Sequence, residues 1–426
     1  KTVKMRIQQA KVILIVIIMN VFSMSISAQW NLQHNFNPNT NDAILDIHFL
    51  NEDTGFVFGG TNWPTFNGYI YRTDDGGVNW NLLNIGITPI IRSGVFIDSL
   101  LGFAIGGGGL ILKSIDGGLS WNTQIGGTSA ELNSIFFNSP LQGHIGGQDI
   151  FLTTSNGGTT WNSIPVTGTI ADMFFFNPDT GFVVGTNPVI GAPPQSSFIW
   201  KTINGGLSWT VKYFVGSSDI RSIQFINSNI GYAVGYDQKL KTTDGGETWN
   251  YMNLSPDAGT YDVFFTDADT GYVAGIDYAG SNQNPLIAKT TDGGNNWNYQ
   301  SISTSVWLFS LYFLNSDIGY VSGFRGGVGP EVHKTINGGI FTNLNEFEYN
   351  LYLLKVYPNP STDLINFDSP FRIDKLEITD ITGSIIFQSE DIKHNYKIPI
   401  NSFSPGLYIY KAYINNNVQQ GKLVIQ

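Results

Sequence analysis

Four carboxylates recur in one setting along this chain: Asp75, Asp116, Asp244 and Asp292 each stand two residues after a Thr or Ser and directly before a Gly pair. Carboxylates beside glycines could hold a cation or move a proton. Three further copies of the same box carry Asn156, Asn204 and Asn337 instead. An amide accepts hydrogen bonds as a carboxylate does, but it is no acid or base and a poor cation ligand. The pattern therefore reads as a turn, in which the Asp or Asn side chain accepts backbone N–H groups while the glycines take positive φ. On this reading all seven positions are structural, and no catalytic or metal-binding residue is assigned to them. The Asp-Thr-Gly stretches at Asp53, Asp179 and Asp269 are read as hairpin turns for the same reason.

Other chemistry is thinly supplied. Five histidines show no metal spacing, and there is neither a Gly-x-Ser-x-Gly elbow nor a phosphate loop. No cofactor is expected. Between residues 29 and 351 the only arginines are Arg72, Arg92, Arg221 and Arg325. Arg92, Arg221 and Tyr261 stand at corresponding points of three repeated segments, at the second position of an inner strand. Corresponding positions elsewhere read Leu45, Asn133, Ala171 and Phe309, each next to an Asp or Ser. A framed position that varies among copies within one chain is released from structural duty. The candidate ligand-binding residues are therefore Arg92, Arg221 and Tyr261, together with Trp63 and Arg325 on long loops of the same face.

What positions these residues is the repeat itself. The second Gly of each box falls at Gly77, Gly118, Gly158, Gly206, Gly246, Gly294 and Gly339, with spacings of 41, 40, 48, 40, 48 and 45 residues. That is the length of one propeller blade. A Trp follows three residues after that Gly in the first six copies, and Thr342 stands in its place in the seventh. Between boxes runs Gly-Phe or Gly-Tyr, as at Gly55-Phe56 and Gly231-Tyr232, with Gly143-His144 as the exception. Each repeat reads as four short strands, and the whole as an all-β, seven-bladed β-propeller. A ring must close or expose raw sheet edges. Trp30-Asn31 resembles the end of a box with no earlier strands before it, so the strand from Trp30 is expected to complete the seventh repeat.

Three segments follow from composition. Residues 1–28 carry only basic charges, then the apolar run Val12 to Met19, then small residues to Ala28, the anatomy of a secretory signal peptide. Residues 29–348 are the propeller, and residues 349–426 change texture. With no Cys in a chain expected to be exported, ring closure and not cross-linking must hold the fold. Residues 29–351 hold 11 basic and 26 acidic residues, a net of −15, which disfavours nucleic acid as a partner. No segment beyond the first 28 residues could span a membrane, so the mature protein is not expected to be an integral membrane protein.

The tail landmarks are Val356-Tyr357-Pro358-Asn359-Pro360, Leu376 to Gly383, Pro405 to Tyr410 and Gly421 to Ile425. In this order they resemble the type A C-terminal sorting domain of the type IX secretion system of Bacteroidetes. The resemblance implies a small Ig-like β-sandwich, engaged by the secretion machinery through residues 352–426. It also implies an outer-surface or secreted destination by way of the periplasm. The boxes resemble Asp-box (BNR) repeats, and together with the Gly-Tyr strand they are most similar to the photosystem II assembly-factor type of propeller. That likeness implies fold and not activity. The function expected is that of an exported binding or scaffold module for protein or glycan. The alternative is a glycoside hydrolase of sialidase-like or xyloglucanase-like type.

Overall fold

The computed structural model describes residues 29–339 and 354–426, apart from 37–41, 62–66, 84, 85, 87, 88, 187–195, 217, 256–257, 279–282, 370–372, 393–395 and 415–416. The chain divides into two units, Lys1–Ile340 and Phe341–Gln426. The expected signal peptide, Trp63 and Thr342 lie outside the described residues.

The first unit is all antiparallel sheet, and its strands follow the sequence repeat. In repeat one, Asp42–Phe49, Gly55–Thr61, Gly68–Thr73 and Asn81–Leu83 lie side by side in chain order. Repeats two, five and six give sheets of the same pattern. Repeats three and four share one six-stranded sheet, because the strand Asn162–Phe175 is continuous. Its first half pairs with Ile150 to Thr153 and its second half with Gly181 to Gly185. The bend between the halves is held by Gly168, at φ 104°, whose N–H donates to the Asp149 carboxylate at 2.8 Å.

Neighbouring repeats are joined by stacked rings, which explains the Phe ending each inner strand and the aromatic of each Gly-Phe or Gly-Tyr. Tyr320 stacks on Phe49 at 3.6 Å, Phe56 on Phe96 at 4.5 Å, Phe103 on Phe137 at 4.5 Å and His144 on Phe175 at 4.0 Å. Phe182 on Phe225 at 4.7 Å, Tyr232 on Phe265 at 3.7 Å and Tyr272 on Phe313 at 4.0 Å complete the circuit. His144 fits this set as a neutral ring, since burial pushes its pKa down to about 4. The preceding glycine is obligatory: a Cβ on Gly55 would lie 2.4 Å from the Phe49 ring. Lysines latch the same joints. Lys241 and Tyr232 both donate to the Gly293 carbonyl of the next box, and Lys289 and Tyr272 to that of Gly338.

Closure follows the expectation. Asn31–Asn35 is the outermost strand of the sheet Trp307–Phe313, Gly319–Arg325, Gly329–Thr335, pairing Asn31 with Lys334 and Asn35 with Glu331. Trp30 is fully buried and meets Tyr272 and Phe313 edge-on at 6.4 and 5.8 Å. Trp297 meets Phe265 at 6.1 Å in the same geometry, so Trp30 fills the place of a box Trp. Where Trp80 donates to its own box carbonyl, Gly77, Trp30 donates to Gln300, which passes the bond to Gly339.

The second unit is described by itself. It pairs a three-stranded sheet, Lys355–Tyr357, Leu364–Asp368 and Tyr396–Pro399, with a four-stranded one. The latter runs in the order Ile385–Ile392, Ile373–Asp380, Gly406–Ile414, Asn417–Ile425. Phe367, Leu376, Ile378, Ala412 and Leu423 pack between them.

Candidate binding site at the channel mouth

The boxes behave as turns. In each, the Thr or Ser hydroxyl accepts the N–H of the second glycine, at 2.9 Å for Thr202 and Gly206, and donates to the Asp or Asn at the third position. Asp116 and Asn204 do the same work, accepting from the backbone N–H of Ser120 and Ser208. Side-chain hydrogen bonds from Ser120, Thr248 and Asn296 come first, and with the backbone bonds they hold Asp116, Asp244 and Asp292 down to about 2. Asp116→Asn is expected to change stability by less than about 0.5 kcal/mol, whereas Thr202→Ala, which strands a buried N–H, should cost about 1–2 kcal/mol. Urea titration of the two variants checks this.

The box turns and the hairpin turns share one face, since Gly76 bonds to Asp53, Gly117 to Leu100 and Gly205 to Asp179. The inner strands begin on the opposite face. One step in from that mouth lies the column of Asp and Ser that follows the second position of the inner strands. Asp46 takes hydrogen bonds from Ser93 and Gly94 of repeat two and from Ser310 of repeat seven. Asp172 takes them from Ser134 of repeat three and Ile223 of repeat five, and Asp262 from Ser222 of repeat five and Leu311 of repeat seven. Three carboxylates and four serines thus tie the inner strands together.

The joint between repeats two and three lies outside this set, and Arg92 closes it with an ion pair to Glu131 at 2.8 Å. Arg92 therefore acts as an inter-repeat clamp. Burial, the largest influence, pushes Asp46 up, Asp172 to about 6 and Asp262 to about 7. A carboxyl group with a raised folded-state pKa stabilises fully below its unfolded pKa, and that contribution fades as pH rises through the folded value. The box carboxylates work in the opposite sense and lose their contribution as pH falls toward 2. Stability should peak near pH 4–5. It should fall between pH 5 and 8, and Asp262→Asn should flatten that fall in thermal melts taken across the range.

Around the mouth, repeats five to seven differ from the rest. Arg221 lies 3.9 Å from the centre of the Tyr261 ring and is held by Asp219, through Nε at 2.7 Å and Nη2 at 2.6 Å. The other oxygen of Asp219 accepts the Tyr236 N–H at 2.7 Å. Tyr261 meets Phe309 edge-on at 4.5 Å, and Phe309 stacks on Phe324 at 4.7 Å. Tyr236 lies 5.0 Å from Tyr278, whose hydroxyl bonds to Tyr261 and is pushed up to about 12, chiefly by burial. Arg325 sits 5.4 Å over Trp307, whose indole N–H is buried without a partner among the described residues. The structure thus brings Arg221 and Tyr261 into contact and sets Arg325 beside the same array, while Arg92 stands apart from it. Sequence reasoning missed Tyr236, Trp307 and Phe324. Their only signal was an aromatic at the edge of a second-to-third-strand loop for Tyr236 and Phe324, and at the start of an inner strand for Trp307.

Fold and site together define a β-propeller with an aromatic and arginine array at one mouth, followed by a separate β-rich domain. More particularly, residues 355–426 match the secretion system C-terminal sorting domain, and residues 78–168 match the photosynthesis system II assembly factor YCF48 family. The tail marks an exported protein. No curated protein matches the chain.

Among solved structures, it is similar to YCF48 bound to D1 peptide, at 16% identity and TM-score 0.54, over 72% of this chain and 99% of that one. PorZ of Porphyromonas gingivalis, described as an essential surface component of the type IX secretion system, is similar at 14% identity and TM-score 0.50, over 92% and 60%. A GH74 xyloglucanase from Xanthomonas campestris is similar at 11% identity and TM-score 0.51, over 80% and 60%. Likeness at these identities shows the fold alone. Among the described residues no group of His, Asp or Glu is arranged to hold a metal, and no helix is long and apolar enough to cross a membrane.

Proposed function

We propose that this chain is an exported, seven-bladed binding propeller whose ligand is an extended polypeptide docked across the mouth of repeats five to seven. The observation that carries it is the confinement of the array Tyr236, Tyr261, Tyr278, Phe309, Phe324 and Trp307, with Arg221 and Arg325, to three repeats of one frame. Tyr, Trp and Arg are the residues that dominate binding energy at protein interfaces. Their placement around strand starts held by Asp46, Asp172 and Asp262 makes the surface rigid, which lowers the entropy lost on binding. The solved relative with a bound peptide supports the same reading.

The sorting domain delivers the propeller to the outer surface or medium, by way of the periplasm after signal-peptide removal, through contact with the type IX machinery. Seven boxes and seven stacked joints support the count of seven blades. The glycosidase alternative would need two of the channel carboxylates free for substrate. Each of the three instead accepts backbone N–H and serine hydroxyl bonds. The test is capture from a random peptide library by the full chain, with Arg221→Ala and Tyr261→Ala abolishing it.

A further inference from the structure

The aromatic rings at the mouth are not all in the same state. Tyr261 lies under Arg221 and Trp307 under Arg325, so each of these two rings already carries a cation of this chain. The same contact recurs at the stacked joints, as with Lys241 over Tyr232 and Lys289 over Tyr272. Among the described residues no lysine or arginine stands over Tyr236 or Tyr278.

These two rings are held in place and turned outward. Tyr236 is 40% exposed, and its ring lies 5.0 Å from that of Tyr278 at 55° to it. The Asp219 carboxylate fixes the Tyr236 backbone, and the Tyr278 hydroxyl is bonded to Tyr261. What lets the rings converge is a glycine. A Cβ on Gly259 would lie 2.5 Å from the Tyr278 ring and 3.3 Å from the Tyr236 ring. The other repeats carry Ala43, Ile90, Glu131, Thr169, Asp219 and Trp307 at the corresponding point, the residue before the inner strand's first core position. Gly259 pairs with Ile276 as Ala43 does with Gly60 and Trp307 with Phe324, which fixes that correspondence.

Beside the rings stands a carboxylate without a partner. Asp237 follows Tyr236, is exposed, and makes no hydrogen bond or ion pair among the described residues. Its charge reaches the ring next to it, since the Tyr236 hydroxyl is pushed up by burial first and then by Tyr278, Asp237 and Asp219. The neighbouring cations are engaged elsewhere. Arg221 is held by Asp219 through Nε and Nη2, and the buried Lys239 donates to the Tyr236 carbonyl at 2.9 Å.

We propose that the polypeptide docked at this mouth is basic, and that it lays a lysine or arginine side chain on Tyr236 and Tyr278 with its charge at Asp237. This rests on the reading of the mouth as a peptide-docking surface. A cation on a ring beside a carboxylate is the arrangement in which this chain holds its own Arg221, on Tyr261 and against Asp219. At Tyr236 the rings and the carboxylate come from the propeller and the cation from the partner. Residues 29–351, with a net charge of −15, attract a basic segment at long range and repel an acidic one.

The test is selection from a random peptide library on the full chain, followed by isothermal titration of the recovered peptides. They are expected to share a Lys or Arg at one position, whose change to Gln weakens binding by about 5- to 10-fold. Tyr236→Phe keeps that preference, Tyr236→Leu removes it, Asp237→Asn lowers it, and Asp237→Lys turns it toward Glu. The Asp237 variants should melt as the parent does, because the side chain is exposed. Peptides that need Arg221 but show no Lys or Arg preference, or one that Tyr236→Leu or Asp237→Asn leaves intact, overturn this inference and leave peptide docking standing. Failure to capture any peptide overturns both. So does a chain that captures none but adsorbs to phosphatidylcholine vesicles through Tyr236, which would assign the rings to a choline headgroup.

Discussion

Trp30→Ala is expected to lower the stability of the propeller by about 3–5 kcal/mol, the cost of truncating a fully buried Trp. The reasons are specific to its position. Trp30 meets Tyr272 and Phe313 edge-on, so it packs over the joint between repeats six and seven. Its indole N–H feeds Gln300 and through it the Gly339 carbonyl, so the truncation also strands a polar chain. Removing residues 29–36 goes further. It strips Gly329–Thr335 of its outer partner and takes Asn35 from the buried Glu331, which otherwise holds Asn35, Thr304 and His333. The truncated chain should melt at least about 5–10 °C lower and bind a hydrophobic dye. A peptide of residues 29–36 added in trans should restore part of the loss. Leu32→Ala, on the exposed side of the same strand, is the control and should be close to neutral.

The second large effect is on binding. Arg221 and Tyr261 form one unit, a planar cation on a ring, fixed by Asp219 and backed by Phe309. Removing either half should weaken a captured peptide by roughly 30-fold or more, about 2 kcal/mol at a hot spot. The double variant should lose less than the sum, because the two contacts depend on each other. Arg92→Ala should leave affinity nearly unchanged while lowering stability modestly, since its guanidinium serves the joint to Glu131. Arg325→Ala should fall between them. Isothermal titration with a single captured peptide separates these cases.

The fold was legible because the repeat displays each structural part seven times. Asn156 in place of Asp75 identified a turn acceptor, and the pairing of Trp30 with a decayed seventh box predicted where the ring closes. The site was less legible, and for a physical reason. A repeat shows what is shared, whereas Tyr236 of repeat five and Phe324 of repeat seven join one array only through Tyr278, Tyr261 and Phe309. Arg92 and Arg221 occupy the same position in their strands, yet one faces Glu131 and the other lies on Tyr261. Within its own repeat only Asp219, which holds Arg221 where Ile90 precedes Arg92, tells them apart, and the facing partners come from the next repeat. The carboxylate and serine links of the channel were visible as a column of Asp and Ser. Their meaning lay in which neighbour each one bonds.

One measurement bears most directly on the central claim: titration of library-selected peptides into the full chain and into the Arg221→Ala, Tyr261→Ala double variant, with both proteins shown to melt alike. The expected result is saturable binding that the double variant loses by at least about 30-fold. Equal affinity in both proteins would contradict the account, and so would hydrolysis of xyloglucan by the wild-type chain that Asp262→Asn abolishes.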